Sequence, residues 1–385
     1  MNIILFTQQL ASFRSGVGTY THNLIKGLGA LGHHVDVVVP IREAVNDPAR
    51  NMLKIQSLSF DPTPGGWLSL GYSFAKTLRL YGTRYDIAHF TDAREAWLVR
   101  NPAVPVVGMI NDTYALDWIG NGYPRHAYAD RLKRSLYYFL QRIIERRTYR
   151  QFPVVLANSL YTRQKIMQGY RLSAQNVKTV YYGLPPPSPL EPIEMQGQPS
   201  IIFVGGNFQR KGLMTLIEAV SIQKESLPDL CLHVIGEDRN QPALQNWSRR
   251  LDVQNNIVFH GRKANEEVKR MMAGADIFAM PSLTEGFGLV YTEAMQVGIP
   301  VIATKEGGLK EVVQDKEEAL FVRPGDPHEL AAAIQSVVND AELVSRLKKK
   351  AKSAVDRLSV EKMAAETVTL YLELLRNRNH QLYQA

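Results

Sequence analysis

Short apolar runs recur along this chain, separated by stretches in which apolar positions return every three or four residues. In the first half the runs are "NIILFT", "HVDVVVP", "YDIAHF", "VPVVGMI" and "PVVLANS", with amphipathic segments such as "TYTHNLIKGLGALG" between them. Near-continuous apolar strands alternating with helices predict a parallel sheet covered on both faces. The proline-rich stretch "GLPPPSPLEPIEMQGQPS" then interrupts the pattern and reads as a linker. Beyond it the pattern restarts with "SIIFVGG", the helix "LMTLIEAVSIQ", and the strands "LCLHVIG", "NIVFHG", "DIFAMPS", "PVIAT" and "ALFVR". The expectation is two doubly wound α/β domains in tandem. Residues 1–185 form the first, 186–199 the linker and 200–365 the second; residues 366–385 form a helix able to pack back on the first. Ligands of such sheets bind beyond the carboxyl ends of the strands, and two such domains offer a deep cleft between them.

Composition adds limits. The 385 residues are 45% hydrophobic, enough for two ordinary cores. The single cysteine, Cys231, excludes an intramolecular disulfide framework and fits a reducing compartment. The start, "MNIILFTQQL", has no basic region and only a strand's length of apolar residues, so no signal peptide is expected. No apolar run approaches the ~20 residues of a membrane span. The protein is expected in the cytoplasm, soluble or peripheral on the inner face of the membrane. The net charge of +8 is unevenly placed: residues 1–190 hold 22 Lys and Arg against 11 Asp and Glu, and the remainder holds 23 against 26. A basic front half suggests an anionic partner: nucleic acid, a phosphate-bearing substrate or a membrane surface.

Three stretches carry candidate chemistry. In "EGFGLVYTE", Gly286 and Gly288 let backbone amides face a ligand at a helix N-terminus. Glu285 precedes that helix, and Glu293 lies up to ~12 Å further along it. That spacing suits one carboxylate on a sugar and another on a ribose diol, although a solvated helix start is an equal alternative. "GGNFQRKG" sits between a strand and a helix and ends on Arg210 and Lys211, two cations able to neutralise a diphosphate. It lacks the G-K-[ST] of a Walker A loop, and an exposed basic turn is the alternative. "RSGVG" follows the first strand and can bring the amides of Gly16 and Gly18 near phosphates. With Thr21 in place of the last glycine it does not match the dinucleotide fingerprint G-x-G-x-x-G.

Taken together, "EGFGLVYTEAMQVGIPVIATKEGGLKEVV" resembles the signature of retaining family 4 glycosyltransferases (glycosyl transferases group 1). "GGNFQRKG" resembles that family's G-x-x-x-x-R-K-G, and "SGVGTYTHNL" its N-terminal glycine motif with Ser15 in place of the first glycine. "DIAHF" and "VVLANSLYTR" also match, so the similarity runs over nearly the whole chain. The resemblance implies the GT-B fold, with two Rossmann-like domains facing a deep inter-domain cleft. The first would bind the acceptor and the second the nucleotide sugar. It also implies roles. Glu285, Phe287 and Gly288 face the donor sugar, and Glu293 takes the ribose with Leu289 and Val290 nearby. Arg210 and Lys211 stabilise the leaving diphosphate, while Gly16 and Gly18 close over the phosphates. Arg262 falls where the base-binding loop is expected. Family members often place a histidine before aspartate after the strand "VPVVGMI"; this chain has Asn111 and Asp112, and Asn111 cannot carry a proton. His89 is either a cleft residue or a satisfied structural one.

The activity implied is transfer of a hexose, from UDP-glucose or another UDP-hexose, to a polysaccharide, glycolipid or lipid-linked acceptor. GDP-mannose stays open as donor. No cofactor and no essential metal are expected, because no D-x-D triplet is present. The alternatives are a non-catalytic sugar-nucleotide-binding protein, suggested by Asn111, and a sugar-nucleotide epimerase. Nucleic-acid binding is disfavoured because no reading motif accompanies the charge. The segment "DRLKRSLYYFLQRIIERRTYRQ" places Leu132, Leu136, Phe139, Leu140, Ile143 and Ile144 on one helical face, with Arg131, Arg134, Arg142, Arg146 and Arg150 elsewhere. Either the apolar face packs on the sheet, or the helix meets an anionic membrane. The aromatics of residues 62–82 are candidates for shaping the acceptor site.

Overall fold

The computed structural model describes residues 1–10, 16–40, 52–55, 66–121 and 128–384, with the side chains of 52–55, 66–68, 118–121, 128–134 and 379–384 left aside. Ser15, residues 62–65 and the side chains of Arg131, Leu132 and Arg134 therefore lie outside the described residues. The chain divides into two compact units. The first comprises Met1–Gly183 with Val360–Ala385, and the second Leu184–Ser359.

In the first unit, β1 (Asn2–Phe6), β2 (His34–Pro40), β3 (Met52–Ile55), β4 (Ile87–Phe90), β5 (Val106–Ile110), β6 (Val154–Ala157) and β7 (Val177–Thr179) form a seven-stranded sheet in the order β3-β2-β1-β4-β5-β6-β7. Every pairing is parallel. The helices are α1 (Gly16–Ala30), α2 (Gly66–Tyr81), α3 (Tyr114–Asn121), α4 (Tyr128–Tyr149) and α5 (Leu160–Tyr170). Both faces of the strands are buried, as their continuous apolar sequences require. Phe6 stacks on Phe90 with ring centroids 4.5 Å apart, and Phe74 of α2 tilts against Phe6 at 5.3 Å.

The second unit repeats the plan with β8 (Ser200–Val204), α6 (Leu213–Gln223), β9 (Cys231–Ile235), α7 (Gln241–Arg250), β10 (Ile257–Gly261), α8 (Asn265–Gly274), β11 (Ile277–Ala279), α9 (Leu289–Val297), β12 (Val301–Thr304), β13 (Leu320–Val322), α10 (Pro327–Asn339) and α11 (Ala341–Val355). Its parallel sheet runs β10-β9-β8-β11-β12-β13.

Two boundaries differ from those read in the sequence. The proline-rich stretch is fastened to the second unit: Ile193 N donates to Arg270 O at 3.0 Å, Arg270 Nε to Glu191 O at 2.9 Å, and Gln198 N to Asp229 O at 2.9 Å. Proline removes donors, yet the remaining backbone groups still find partners. The last helix, α12, starts earlier than expected and spans Val360–Gln384. It belongs to the first unit. Gly27 of α1 lies where any Cβ would press on Ala364 at 2.7 Å, so glycine permits the two helices to approach. Tyr371 reaches His89 Nδ1 at 2.6 Å, and Tyr20 meets His89 Nε2 at 3.2 Å. Burial drives the His89 pKa down to about 3, so the ring is a neutral, satisfied structural group.

The helix α4 is turned against its own amphipathicity. Its buried side holds Gln141, Glu145, Thr148 and Tyr149, while Leu136, Phe139, Leu140 and Ile143 are 59%, 54%, 50% and 51% exposed. The expectation that this apolar face packs on the sheet is therefore corrected. The buried face is held by polar contacts instead. Gln141 donates to Glu145 at 2.6 Å, the Tyr170 hydroxyl donates to Glu145, and Arg94 lies 3.8 Å from the same carboxylate.

Candidate functional site

In a doubly wound sheet the ligand crevice lies where consecutive strands turn to opposite sides. In the second unit that point falls between β8 and β11. The loop after β8 carries Arg210 and Lys211, and the loop after β11 carries Glu285. The structure brings all three together. One oxygen of Glu285 accepts from Arg210 Nη1 at 3.1 Å and from Lys211 Nζ at 3.2 Å. Arg210 Nη1 also donates to Thr284 O at 2.8 Å. All three side chains are largely buried.

The charges do not cancel. Among the described residues two cations share one carboxylate, leaving a formal excess of one positive charge. Burial alone would raise the Glu285 carboxyl, but Arg210 and Lys211 outweigh it and hold its pKa down to about 2. Lys211 moves the other way: burial lowers its pKa, and Arg210 beside it adds to that against the pull of Glu285. Both directions follow from an under-neutralised, water-poor cluster, which a bound anion would complete.

Local geometry is set by glycines. Gly205, at φ +150°, lies under the Lys211 chain, where a Cβ would meet Lys211 Cδ at 2.5 Å. Gly212, at φ +75°, starts α6 with its Cα against the Pro281 carbonyl, so the two loops touch backbone to backbone. Gly288, at φ +82°, opens α9, which has no side-chain cap, so the amide dipoles at that end of the helix face outward from its first turn. A Cβ on Gly288 would meet the Tyr291 ring, whose hydroxyl donates to Met280 O at 2.7 Å. Gly308 N donates to Gly286 O at 2.9 Å, and Gly307, at φ +132°, backs on Glu285 O. Tyr291 and the Gly307–Gly308 pair support the loop and carried no assigned role in the sequence. The doubled glycine before "LKE" was the available signal.

The other expected residues fall as follows. Glu293 sits on α9, half-buried, and its carboxylate makes no hydrogen bond or ion pair among the described residues. Burial raises its carboxyl pKa, with Lys269 opposing. Leu289 and Val290 occupy the first turn of α9. The Phe287 ring is 1% exposed, so its side chain is core and only its backbone is placed to meet a ligand. An aromatic ring beside a parallel sheet gains from such burial. Arg262 follows β10, more than half exposed and paired with Glu237 at 3.0 Å. With Asp238 and Gln241 it borders an open hollow of about 520 Å³.

In the first unit the corresponding crevice lies between β1 and β4. Gly16 and Gly18 form the first turn of α1, and a Cβ on Gly16 would meet nothing. The loops after β4 and β5 are cross-braced. Arg94 binds Asp92 at 2.5 Å and Asp112 at 3.0 Å. Asn111 is part of this frame: its amide donates to Thr91 O at 2.8 Å, and its oxygen accepts from the Tyr182 hydroxyl at 2.5 Å. These contacts fix the orientation of the Asn111 side chain, expected at the donor, and leave it one further amide N–H. The Asp92–Arg94–Asp112 brace was missed in the sequence because its members are scattered and follow no motif spacing.

Comparison with known proteins agrees with this architecture. Residues 191–354 match the family model described as glycosyl transferases group 1, and residues 14–186 that described as glycosyltransferase family 4. An MMP alpha-(1->4)-mannosyltransferase of Mycolicibacterium hassiacum is 25% identical over 96% of this chain and 98% of its own. The sucrose-phosphate synthase structure from Thermosynechococcus elongatus superposes with a TM-score of 0.80 at 20% identity, covering 98% of this chain and 99% of that one. HepE of Anabaena, solved in complex with UDP and glucose, superposes with a TM-score of 0.76 at 19% identity, covering 97% and 100%. With both halves matched in order and the two parallel sheets in place, the chain belongs to the group 1, family 4 glycosyltransferases of GT-B fold.

Proposed function

We propose that this glycosyltransferase moves a hexose from a nucleotide sugar to a polysaccharide, glycolipid or lipid-linked acceptor, with UDP-glucose the favoured donor and with retention at the anomeric carbon. The observation that carries the reading is the excess positive charge of Arg210, Lys211 and Glu285, buried at the strand switch point near the N-terminus of α9. A nucleoside diphosphate supplies the missing negative charge, and supplies more of it as the sugar departs. Stabilisation then grows toward the transition state, which is what accelerates a reaction.

In this reading Glu285 and the backbone of Phe287 and Gly288 hold the sugar. Glu293, whose unpaired carboxylate accepts from hydroxyls, holds the ribose beside Leu289 and Val290. Arg262 and its hollow take the base, and Gly16 and Gly18 approach the phosphates. The acceptor oxygen bonds to the anomeric carbon as the bond from that carbon to the phosphate oxygen breaks. The acceptor's proton passes to a donor phosphate oxygen on the same face. Charge stabilisation comes from protein groups, so turnover proceeds without a metal or cofactor, and EDTA is expected to leave the rate unchanged.

The HepE complex with UDP and glucose supports the donor choice, and the mannosyltransferase relative makes GDP-mannose the second arm of the test. The test is a thermal-shift panel of UDP-glucose, UDP-N-acetylglucosamine, UDP-galactose, GDP-mannose, ADP-glucose and NAD, since a ligand that binds the folded state raises its melting temperature. UDP-glucose is expected to give the largest shift. A larger shift with GDP-mannose reassigns the donor, and no shift with any sugar nucleotide overturns the proposal.

A further inference from the structure

Exposed large apolar side chains are ordinary when scattered and informative when contiguous. On α4 they are contiguous: Leu136, Phe139, Leu140 and Ile143 are spaced three and four apart and each is about half exposed or more. The side of the helix that the fold does bury carries Gln141 and Glu145. Core packing therefore does not explain the apolar stripe. A second feature runs beside it. Arg142 and Arg146 of α4, and Arg150 just past its end, recur every four residues, and Arg171 lies near them. Among the described residues none of these guanidinium groups has an acidic partner; Arg142 and Arg150 reach only backbone carbonyls, at 3.4 Å each. The crowding is strong enough that Arg150, then Arg171 and Arg142, lower the pKa of Arg146.

We propose that α4 docks in the plane of an anionic lipid surface, with Leu136, Phe139, Leu140 and Ile143 entering the headgroup–acyl boundary and Arg142, Arg146, Arg150 and Arg171 meeting lipid phosphates. An interfacial helix needs an apolar face, a flanking cationic row and no competing internal partner, and α4 has these. A second copy of the chain fits less well, because a two-fold contact through this stripe sets the same arginine row against its twin. The proposal goes beyond the transfer reaction and does not rest on the donor assignment.

The test is co-sedimentation of the full chain with vesicles of phosphatidylcholine alone and of an equimolar mixture of phosphatidylcholine and phosphatidylglycerol. The protein is expected to pellet with the mixed vesicles in a salt-sensitive manner. F139S/I143S is expected to lower that partitioning by about tenfold or more. R142S/R146S is expected to remove the preference for phosphatidylglycerol. Melting temperatures measured without lipid check that each variant is folded; either variant, if folded, decides the matter alone. Absence of the wild-type chain from both pellets overturns the proposal, as does binding that neither variant weakens. A concentration-dependent dimer in light scattering, lost in F139S/I143S and unaccompanied by vesicle binding, overturns it in favour of a second copy. Donor thermal shifts read the other unit, so failure here leaves the transferase reading standing.

Discussion

Glu285 and Glu293 stand on either side of the Gly288 turn, and their environments push them in opposite directions. Glu285 is held low by two cations. Its folded pKa lies below the unfolded one, so its stabilising contribution is complete above the ordinary carboxyl range and is lost as pH falls toward about 2. Glu285→Gln leaves Arg210 and Lys211 buried without their counter-charge, and urea unfolding is expected to show a loss of about 3 kcal/mol at neutral pH. Glu293 is raised by burial and lacks a partner, so at neutral pH its charge costs stability. Glu293→Gln should raise the melting temperature of the free protein. Glu293→Ala should weaken donor binding by ~1–3 kcal/mol, the scale of hydrogen bonds lost at a buried polar site. Calorimetry with the donor checks the pair, and unchanged affinity in Glu293→Ala would sink the ribose assignment. The sequence named both glutamates and both cations. It did not show that one carboxylate oxygen serves Arg210 and Lys211 from 75 and 74 positions away, because that depends on how β8 and β11 pair.

Loops and helices were legible unevenly, for a physical reason. Period 2 and period 3.6 report which residues share a face, and strands buried on both sides leave no doubt where those faces point. The sheets were accordingly readable from "NIILFT" and "SIIFVGG" onward. For α4 the same periodicity identified the stripe from Leu136 to Ile143 and could not say that it points outward, because the polar groups that reverse it, Glu145, Arg94 and Tyr170, come from three separate elements. The β8–α6 loop was readable as a cationic turn, and its backbone contact with the β11 loop was not. That contact gives a test. Gly212→Ala puts a Cβ on the Pro281 carbonyl at φ +75° and is expected to cost more than ~1 kcal/mol in stability. Arg210→Ala combined with Lys211→Ala leaves Glu285 without its counter-charges, so the variant's folding is checked by melting temperature; it should lower turnover far more than the preference among sugars, and a fully active double variant would refute their role.

Across the whole molecule the charge follows the unit division. Residues 360–385 hold three cations and three acids, so adding them to the front half leaves the first unit at +11 and the second at −3. The unit proposed to bind an anionic nucleotide is itself net negative, so its attraction is short-ranged and confined to Arg210, Lys211 and the start of α9. Donor affinity is then expected to fall only gently with salt, whereas vesicle binding through α4 falls steeply; parallel titrations in sodium chloride check the contrast. The return of α12 has a further consequence, for the order in which the domains mature on the ribosome. All strands of the first unit have been synthesised by Thr179, yet His89 still waits for Tyr371, 282 positions downstream, and Gly27 for Ala364. The second unit has its full set of elements by Val355. The domain made first is thus the last to close, and it carries an open seam through the translation of its sibling. A released chain truncated after residue 359 should therefore resist protease over 184–359 and be cut within 1–183.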